Sequence, residues 1–420
     1  MQEYEFFFLS LNRSFIMTIG TDEQGLVDFL SMFSLSVDAE NSIIQIRPFQ
    51  QTTLELRNNI NSFVDKHKAN TPQVHSLRQF VEGIGEGEFF FFHPNRNFST
   101  QDIVTIGNYL RAANGNEDFE LLTSQTQESL GRVLENYEPV AYANSRRTMI
   151  GESERKKRVC RFCGQSEPVV KFRKVAHAIS ESLGNKSIIL NEECDTCNEV
   201  LGDEVEIDMI NYLSLYRTFF TVHGKDGIPK MKEKTFRFQH LKDREFAFVL
   251  QGDNTATEYG PPKAIIAKTN QRVALQNIYK TLCKYALSVI ERKYIPYFTE
   301  TIEWIRGRKD FSELPKIAML TTYQFMDSVA SPAIIVYRRK TNDKNLPYLV
   351  GEFHFTCLVF IFVVPLSSQD DRTFTYSTDY DGFWNCFPYS RIQDTNWKFD
   401  DFSDSQKRLL EFKIKLLQRK

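Results

Sequence analysis

Cys160-Arg161-Phe162-Cys163-Gly164 opens, and Glu193-Cys194-Asp195-Thr196-Cys197-Asn198 closes, the stretch that organises the rest of this chain. Two C-x-x-C pairs about thirty residues apart have the spacing of a structural zinc site. The two-residue gap lets both sulfurs of one tight turn reach the same ion, and four thiolates complete a tetrahedron with no position left for substrate. Gly164 frees the turn after the first pair. A redox C-x-x-C needs no second pair, and two disulfides suit a chain with an export signal. Both alternatives explain less of the pattern.

Between the pairs, Pro168 to Val175 reads as a strand and Ser187 to Leu190 as a short second one. A single turn at Ser180 to Leu183 and a Gly184-Asn185 bend lie in the link. After Cys197, the spacing of Val200, Leu201, Val205, Met209 and Ile210 predicts a helix over 198–212. The order is knuckle, strand, strand, knuckle, helix.

That order, with Val175-Ala176-His177-Ala178-Ile179, Leu183-Gly184-Asn185-Lys186 and Glu-Cys-x-x-Cys-Asn, resembles the HNH endonucleases, in the branch with a four-cysteine treble-clef zinc site and Asn replacing the final His. The resemblance implies a metal-dependent hydrolase of phosphodiester bonds in DNA, with double-stranded DNA as partner. It implies that Cys160, Cys163, Cys194 and Cys197 hold a structural Zn²⁺. It implies that His177 is the general base, and that Asn198 helps hold a catalytic divalent cation, Mg²⁺ or similar. A neutral imidazole accepts a proton from water near neutral pH while the cation neutralises the scissile phosphate. Ala176 stands where the family's best-known members carry a metal-ligating acid or His. Either Asn198 is joined by water, phosphate and a carboxylate such as Glu181, Glu206 or Asp208, or the segment is a weak or inactive zinc module that binds nucleic acid or a protein partner. Outside the cysteine frame, His177 reads as a strand-end histidine bonded to backbone, and Asn198 as a helix N-cap.

The 420 residues suffice for two or three domains, and 36 phenylalanines favour aromatic cores with substantial sheet. A formal net charge of −2 argues against a generally basic, nonspecific nucleic-acid binder. Basic surface is therefore local. From Arg146 to Lys174 ten basic residues face three acidic ones. Among the ten, Arg155, Lys156, Lys157, Arg158, Lys171, Arg173 and Lys174 are the candidate phosphate contacts, with a solvated linker as the bland alternative. The N-terminus lacks the regions of a signal peptide, and the most apolar run, Phe353 to Val364, is too short to span a bilayer. With Cys283, Cys357 and Cys386 in apolar or aromatic surroundings, the expectation is a cytoplasmic protein with no membrane partner.

The whole reads as a multi-domain α+β protein. An N-terminal α+β domain of unassigned role spans 1–143, a basic linker 144–159, the zinc-bound treble-clef ββα module 160–215, and a C-terminal α+β domain with helical segments 216–420. In the first, strands are expected near Tyr4 to Leu9, Ser14 to Ile19, Ile43 to Ile46 and Glu88 to Phe92, and helices around Ile60, Phe80 and Val133, with a helix start at Ser99-Thr100. In the last, strands are expected at Thr235 to Gln239, Glu245 to Leu250, Lys263 to Ala267, Ala333 to Tyr337 and Tyr348 to Val364. A long helix passes through Ile278 and Val289, and a shorter one through Ile302 and Ile305. An amphipathic helix is expected from Ser403 through Leu409, Phe412, Leu416 and Leu417. Its apolar side would dock on a domain or on a second subunit, which leaves a homodimer open. Lys225, Lys230, Lys232 and Lys234, in or beside a Gly- and Pro-rich loop, are further backbone contacts or merely solvated. A small zinc module with large flanking regions suggests, by analogy, a restriction-like or anti-phage defence effector.

Overall fold

The computed structural model describes residues 2–11, 14–38, 43–68, 72–94, 98, 100–143, 147–233, 236–241, 246–250, 264–321, 332–387 and 396–415. The expectations on Ser99, Arg146, Lys234, Thr235, Glu245, Lys263, Leu416 and Leu417 fall outside these residues. The chain is α+β and divides into two compact units, Met1–Glu135 and Asn136–Lys420.

In the first unit, alternation along Gln2–Leu9 sends Phe6 and Phe8 to one face and Phe7 and Leu9 to the other. The strand therefore sits inside a four-stranded antiparallel sheet, in the order Ser14–Thr21, Gln2–Leu9, Phe89–His93, Phe49–Gln51. The helices Glu23–Ser31, Leu54–His67 and His75–Glu82 bury Phe29, Ile60, Val64 and Phe80 against Phe6 and Phe8. The helix Thr100–Gly115 covers the opposite face with Ile106 and Leu110. Asp22 and Thr53 cap the first two helices by accepting from Gly25 N and Leu56 N.

The second unit is built on a six-stranded antiparallel sheet, in the order Lys398–Asp400, Ile317–Thr321, Leu358–Val363, Leu349–Phe355, Ala333–Arg339, Tyr137–Ala143. Residues 137–143, assigned from sequence to the N-terminal domain, thus pair into the second unit's sheet. The apolar run from Tyr348 to Val364, expected as one strand, is a hairpin. Thr356, with φ 53°, turns the chain between its two halves. Gly351 is required there, because a Cβ would lie 2.1 Å from the Phe362 ring across the pair.

The helix Leu275–Val289 is buried on nearly every side, with Ile278, Tyr279, Leu282 and Tyr285 all at 0% exposure. A helix buried on nearly every side lies inside a core, and this one takes Gln276, Lys280, Thr281 and Lys284 into it with its apolar residues. This one shares a single apolar cluster with Phe353, Phe360 and Phe362 of the sheet and with Cys160, Phe162 and Leu183 of the cysteine stretch. The cysteine stretch and the region after it therefore share one core and one compact unit.

The C-terminal expectation is corrected. Arg408–Lys415 is a strand paired antiparallel with Ala264–Val273, and no helix starts at Ser403. Leu410, Phe412 and Ile414 alternate with Glu411, Lys413 and Lys415. That period of two prevails over the helical spacing of Leu409 and Phe412. The docking helix that left a homodimer open is absent from this segment.

Candidate active site

The stretch 168–175 is not a strand. Asp195 explains why: its Oδ1 accepts from Arg173 N and Lys174 N at 2.8 and 2.9 Å, and its own N–H donates to Lys171 O at 2.8 Å. These backbone groups are satisfied by the start of the following helix, not by a partner strand. Sheet-like pairing begins only at Ala176. There Leu190 N donates to Ala176 O at 2.9 Å, Ala178 N donates to Ile188 O at 3.0 Å, and His177 bridges Ile189. Ile188–Leu190 also pairs in parallel with Thr148–Ile150, so the stretch read as a linker contributes a strand to this module.

Asn185 holds the loop beyond His177. It is fully buried, its Nδ2 donating to Ile179 O and Ile188 O at 2.7 and 2.9 Å while its Oδ1 accepts from Ser187 N and Ile188 N. Gly184, with φ 90°, closes the turn Glu181–Leu183.

The four cysteine sulfurs lie within 4.8 Å of one another, and Cys163 Sγ is 3.7 Å from Cys194 Sγ. Sulfurs around one zinc at ~2.3 Å would be about 3.8 Å apart, so the donor set fits the ion. Gly164 takes φ 70° after the first pair. A hydrogen bond with Cys163 lowers the Cys160 pKa to about 7, and one with Cys160 lowers that of Cys194 to about 4, while hydrogen bonds with Cys160 push the Cys163 and Cys197 thiols up. Cys160 and Cys194 are thus the first to give thiolate, the form that binds metal. Among the described residues, this is the one group of three or more His, Cys, Asp or Glu positioned for a shared ion.

Residues 160–214 match the family model of the HNH endonucleases. This segment, 55 of the 420 residues, is similar to the HNH endonucleases. No curated protein and no solved structure matches the chain. The family implies nuclease activity and a nucleic-acid substrate in general terms.

Within the HNH-like module, the His177 side chain is 17% exposed, with Nε2 3.9 Å from Glu181 Oε2. Its Nδ1 is buried without a hydrogen-bond partner among the described residues. Burial lowers its pKa below the ordinary histidine value, with Glu181 opposing that shift. Asn198 lies inside the helix Asp195–Leu201. The N-cap is Cys194, whose Sγ accepts from Cys197 N, so the capping role considered for Asn198 is taken. No partner for the Asn198 amide appears among the described residues. Ala176 is 2% exposed and has no atom to offer a cation.

Two of the carboxylates weighed as its substitute are committed elsewhere. Asp208 Oδ2 accepts from Ala274 N and Asn277 Nδ2 at 3.1 and 2.8 Å, tying the module to the start of the long helix. Glu206 Oε1 lies 2.5 Å from Lys284 Nζ, which is also 3.1 Å from Glu193 Oε2, and all three side chains are buried. Desolvation works against the Lys284 ammonium, but Glu193 and Glu206 outweigh it and hold its pKa above the usual lysine value. Glu181, the third, is beside His177 and 38% exposed.

Sequence reasoning missed Lys284 and the role of Arg161. By sequence Arg161 counts as basic surface, yet its side chain is 1% exposed. It pairs with Glu192 at 2.9 Å and donates from Nη1 to Leu287 O, Ser288 O and Ile290 O at the end of the long helix. The same helix also carries Gln276, Lys280 and Thr281, so the sequence held no signal that singled out Lys284.

Of the candidate phosphate contacts, Lys156, Lys171 and Arg173 are exposed and carry no ion pair among the described residues. Arg155 pairs with Glu167 at 2.8 Å, Lys157 with Glu154 at 2.5 Å and Lys174 with Glu199 at 2.7 Å. Arg158 donates to Glu152 O and Ser153 O. Exposed pairs of this kind are weak and exchange readily for a phosphate.

Proposed function

We propose that the HNH-like module cleaves phosphodiester bonds of double-stranded DNA in a divalent-metal-dependent reaction. The observation that carries this reading is His177, a largely buried imidazole held at the bridge to Ile189 in the same module as the four-sulfur cluster. Burial keeps the ring neutral near pH 7, so it can take the proton of an attacking water. Asn198 and Glu181 would hold Mg²⁺ or a similar ion, with water completing a shell that needs few protein ligands. That ion supplies positive charge at the scissile phosphate and the leaving oxygen. The cysteines serve the fold, not the reaction.

The exposed cations Lys156, Lys171 and Arg173, with Arg155, Lys157, Arg158 and Lys174 beside them in sequence, would bind the DNA backbone. Replacing Lys171 and Arg173 with Gln lowers the slope of log affinity against log salt by about 2, at ~0.9 for each phosphate that is no longer neutralised. An unchanged slope returns these residues to solvated surface. By analogy, large regions flanking a small nuclease-like module suit a restriction-like or anti-phage defence effector, with the first unit as sensor or target reader.

The buried alanine at 176 favours one second reading, a catalytically inactive zinc module that only binds nucleic acid. Plasmid cleavage separates the two. The nuclease reading expects Mg²⁺-dependent nicking that His177→Ala abolishes while zinc content and DNA affinity persist. If purified His177→Ala nicks as fast as the parent, the hydrolytic assignment fails.

A further inference from the structure

A cavity of about 150 Å³ opens one residue from His177, where Ala176 meets the Ile188–Leu190 strand. Part of its wall is apolar and buried, formed by Phe172, Ile189 and Leu190. Asn191 also lines it, 5% exposed, and its side-chain amide makes no hydrogen bond among the described residues. Four cations, Arg147, Arg158, Arg173 and Lys174, also line it, together with the buried Glu193, whose carboxylate faces Lys284 Nζ at 3.1 Å. Arg147 and Arg173 are free of ion pairs among the described residues, and Arg158 is held by backbone carbonyls alone.

A void of roughly this volume accepts one benzene-sized ring. A hydrocarbon would leave the Asn191 amide and the cations unused. A bare anion would sit against Phe, Ile and Leu. A nucleotide suits every part: a flat ring for the apolar wall, a polar base edge for the amide, and flanking phosphates for the cations. We propose that this cavity takes the base of a single unpaired nucleotide in the substrate strand. The proposal rests on the nuclease reading for the nature of the ligand. Pulling a base out of a duplex is cheapest where it is already mismatched or unpaired, so the pocket directs the protein to bulged or single-stranded positions.

The test uses the full chain, zinc-loaded, as His177→Ala in Mg²⁺ so that no probe is cut. Fluorescence anisotropy compares DNA duplexes carrying a bulged thymine, a bulged adenine, a bulged abasic site or no bulge. The thymine and adenine bulges are expected to bind about tenfold tighter than the abasic and fully paired probes. Asn191→Ala should erase the base preference and leave the salt slope alone, whereas Arg173→Gln should weaken all probes alike and flatten the slope. Equal affinity for thymine and abasic bulges overturns the proposal, and this comparison holds even if Asn191→Ala does not fold. Binding is read without cleavage. A missing base preference alongside plasmid nicking therefore sinks the pocket alone, and an intact preference without nicking sinks the nuclease reading alone.

Discussion

Desolvation dominates the environment of His177, and the nearby Lys284 charge adds to it, so the imidazole gives up its proton at a lower pH than a free histidine. A general base works only when unprotonated, and cleavage must fall as pH drops through its pKa. The acid limb of the rate is therefore expected to be centred below pH 6.5. A profile of kcat/KM against pH checks this, and an acid limb centred above 6.5 rules out a desolvated base here. Asn198→Ala is expected to cost about tenfold in cleavage, partly recovered by raising Mg²⁺, since its amide would be a weak ligand. The four cysteines were legible in the sequence because a shared ion demands one residue type at short, fixed spacings. Asn191 and Lys284 were not. An unpartnered amide has no spacing rule, and Lys284 meets Glu206 across 78 residues of chain.

The helix Leu275–Val289 shows how one element can be read correctly and still be misjudged. Its apolar spacing announced a helix, but nothing local announced that Lys284 would bury its charge between Glu193 and Glu206. Removing that charge leaves two carboxylates in a dry interior. Lys284→Met is expected to cost about 3–5 kcal/mol, the penalty for breaking a buried pair from one side. Urea unfolding of the zinc-loaded protein measures it, and adding Glu206→Gln should return part of the loss because the sites are coupled. A single variant as stable as the parent would mean that the pair contributes nothing. The strand Arg408–Lys415 is the converse case. Leucines spaced for a helix drew attention from the alternation of Leu410, Phe412 and Ile414, which the partner Ala264–Val273 makes decisive. Residues 168–175 were misread for a different reason: their partner is the Asp195 side chain, a competitor for backbone hydrogen bonds that propensity does not weigh.

At the scale of the whole chain, the α+β class and the position of the zinc module were visible, while the shared core was not, because it joins residues more than a hundred positions apart. Metal analysis should find one zinc per chain. Chelation, or Cys160→Ser, should lower the melting temperature of the second unit as a whole, since the knuckle, the long helix and the sheet form one cluster. Calorimetry on metal-free protein checks this, and an unchanged trace would end the structural-zinc reading. The seat of Arg161 has a further consequence, for synthesis. Its carbonyl acceptors lie 126 to 129 residues downstream. A ribosome adding ~5–20 residues per second needs on the order of ten seconds to cover that distance. From residue 214 to Leu287, the last 73 residues up to the first acceptor, the nascent chain already holds every residue of the nuclease-family segment, but the end of the helix that receives the guanidinium has not been made. Translation products that stop within those residues carry the complete motif without its socket, and termination there yields a segment that reads as a nuclease and cannot be seated as one.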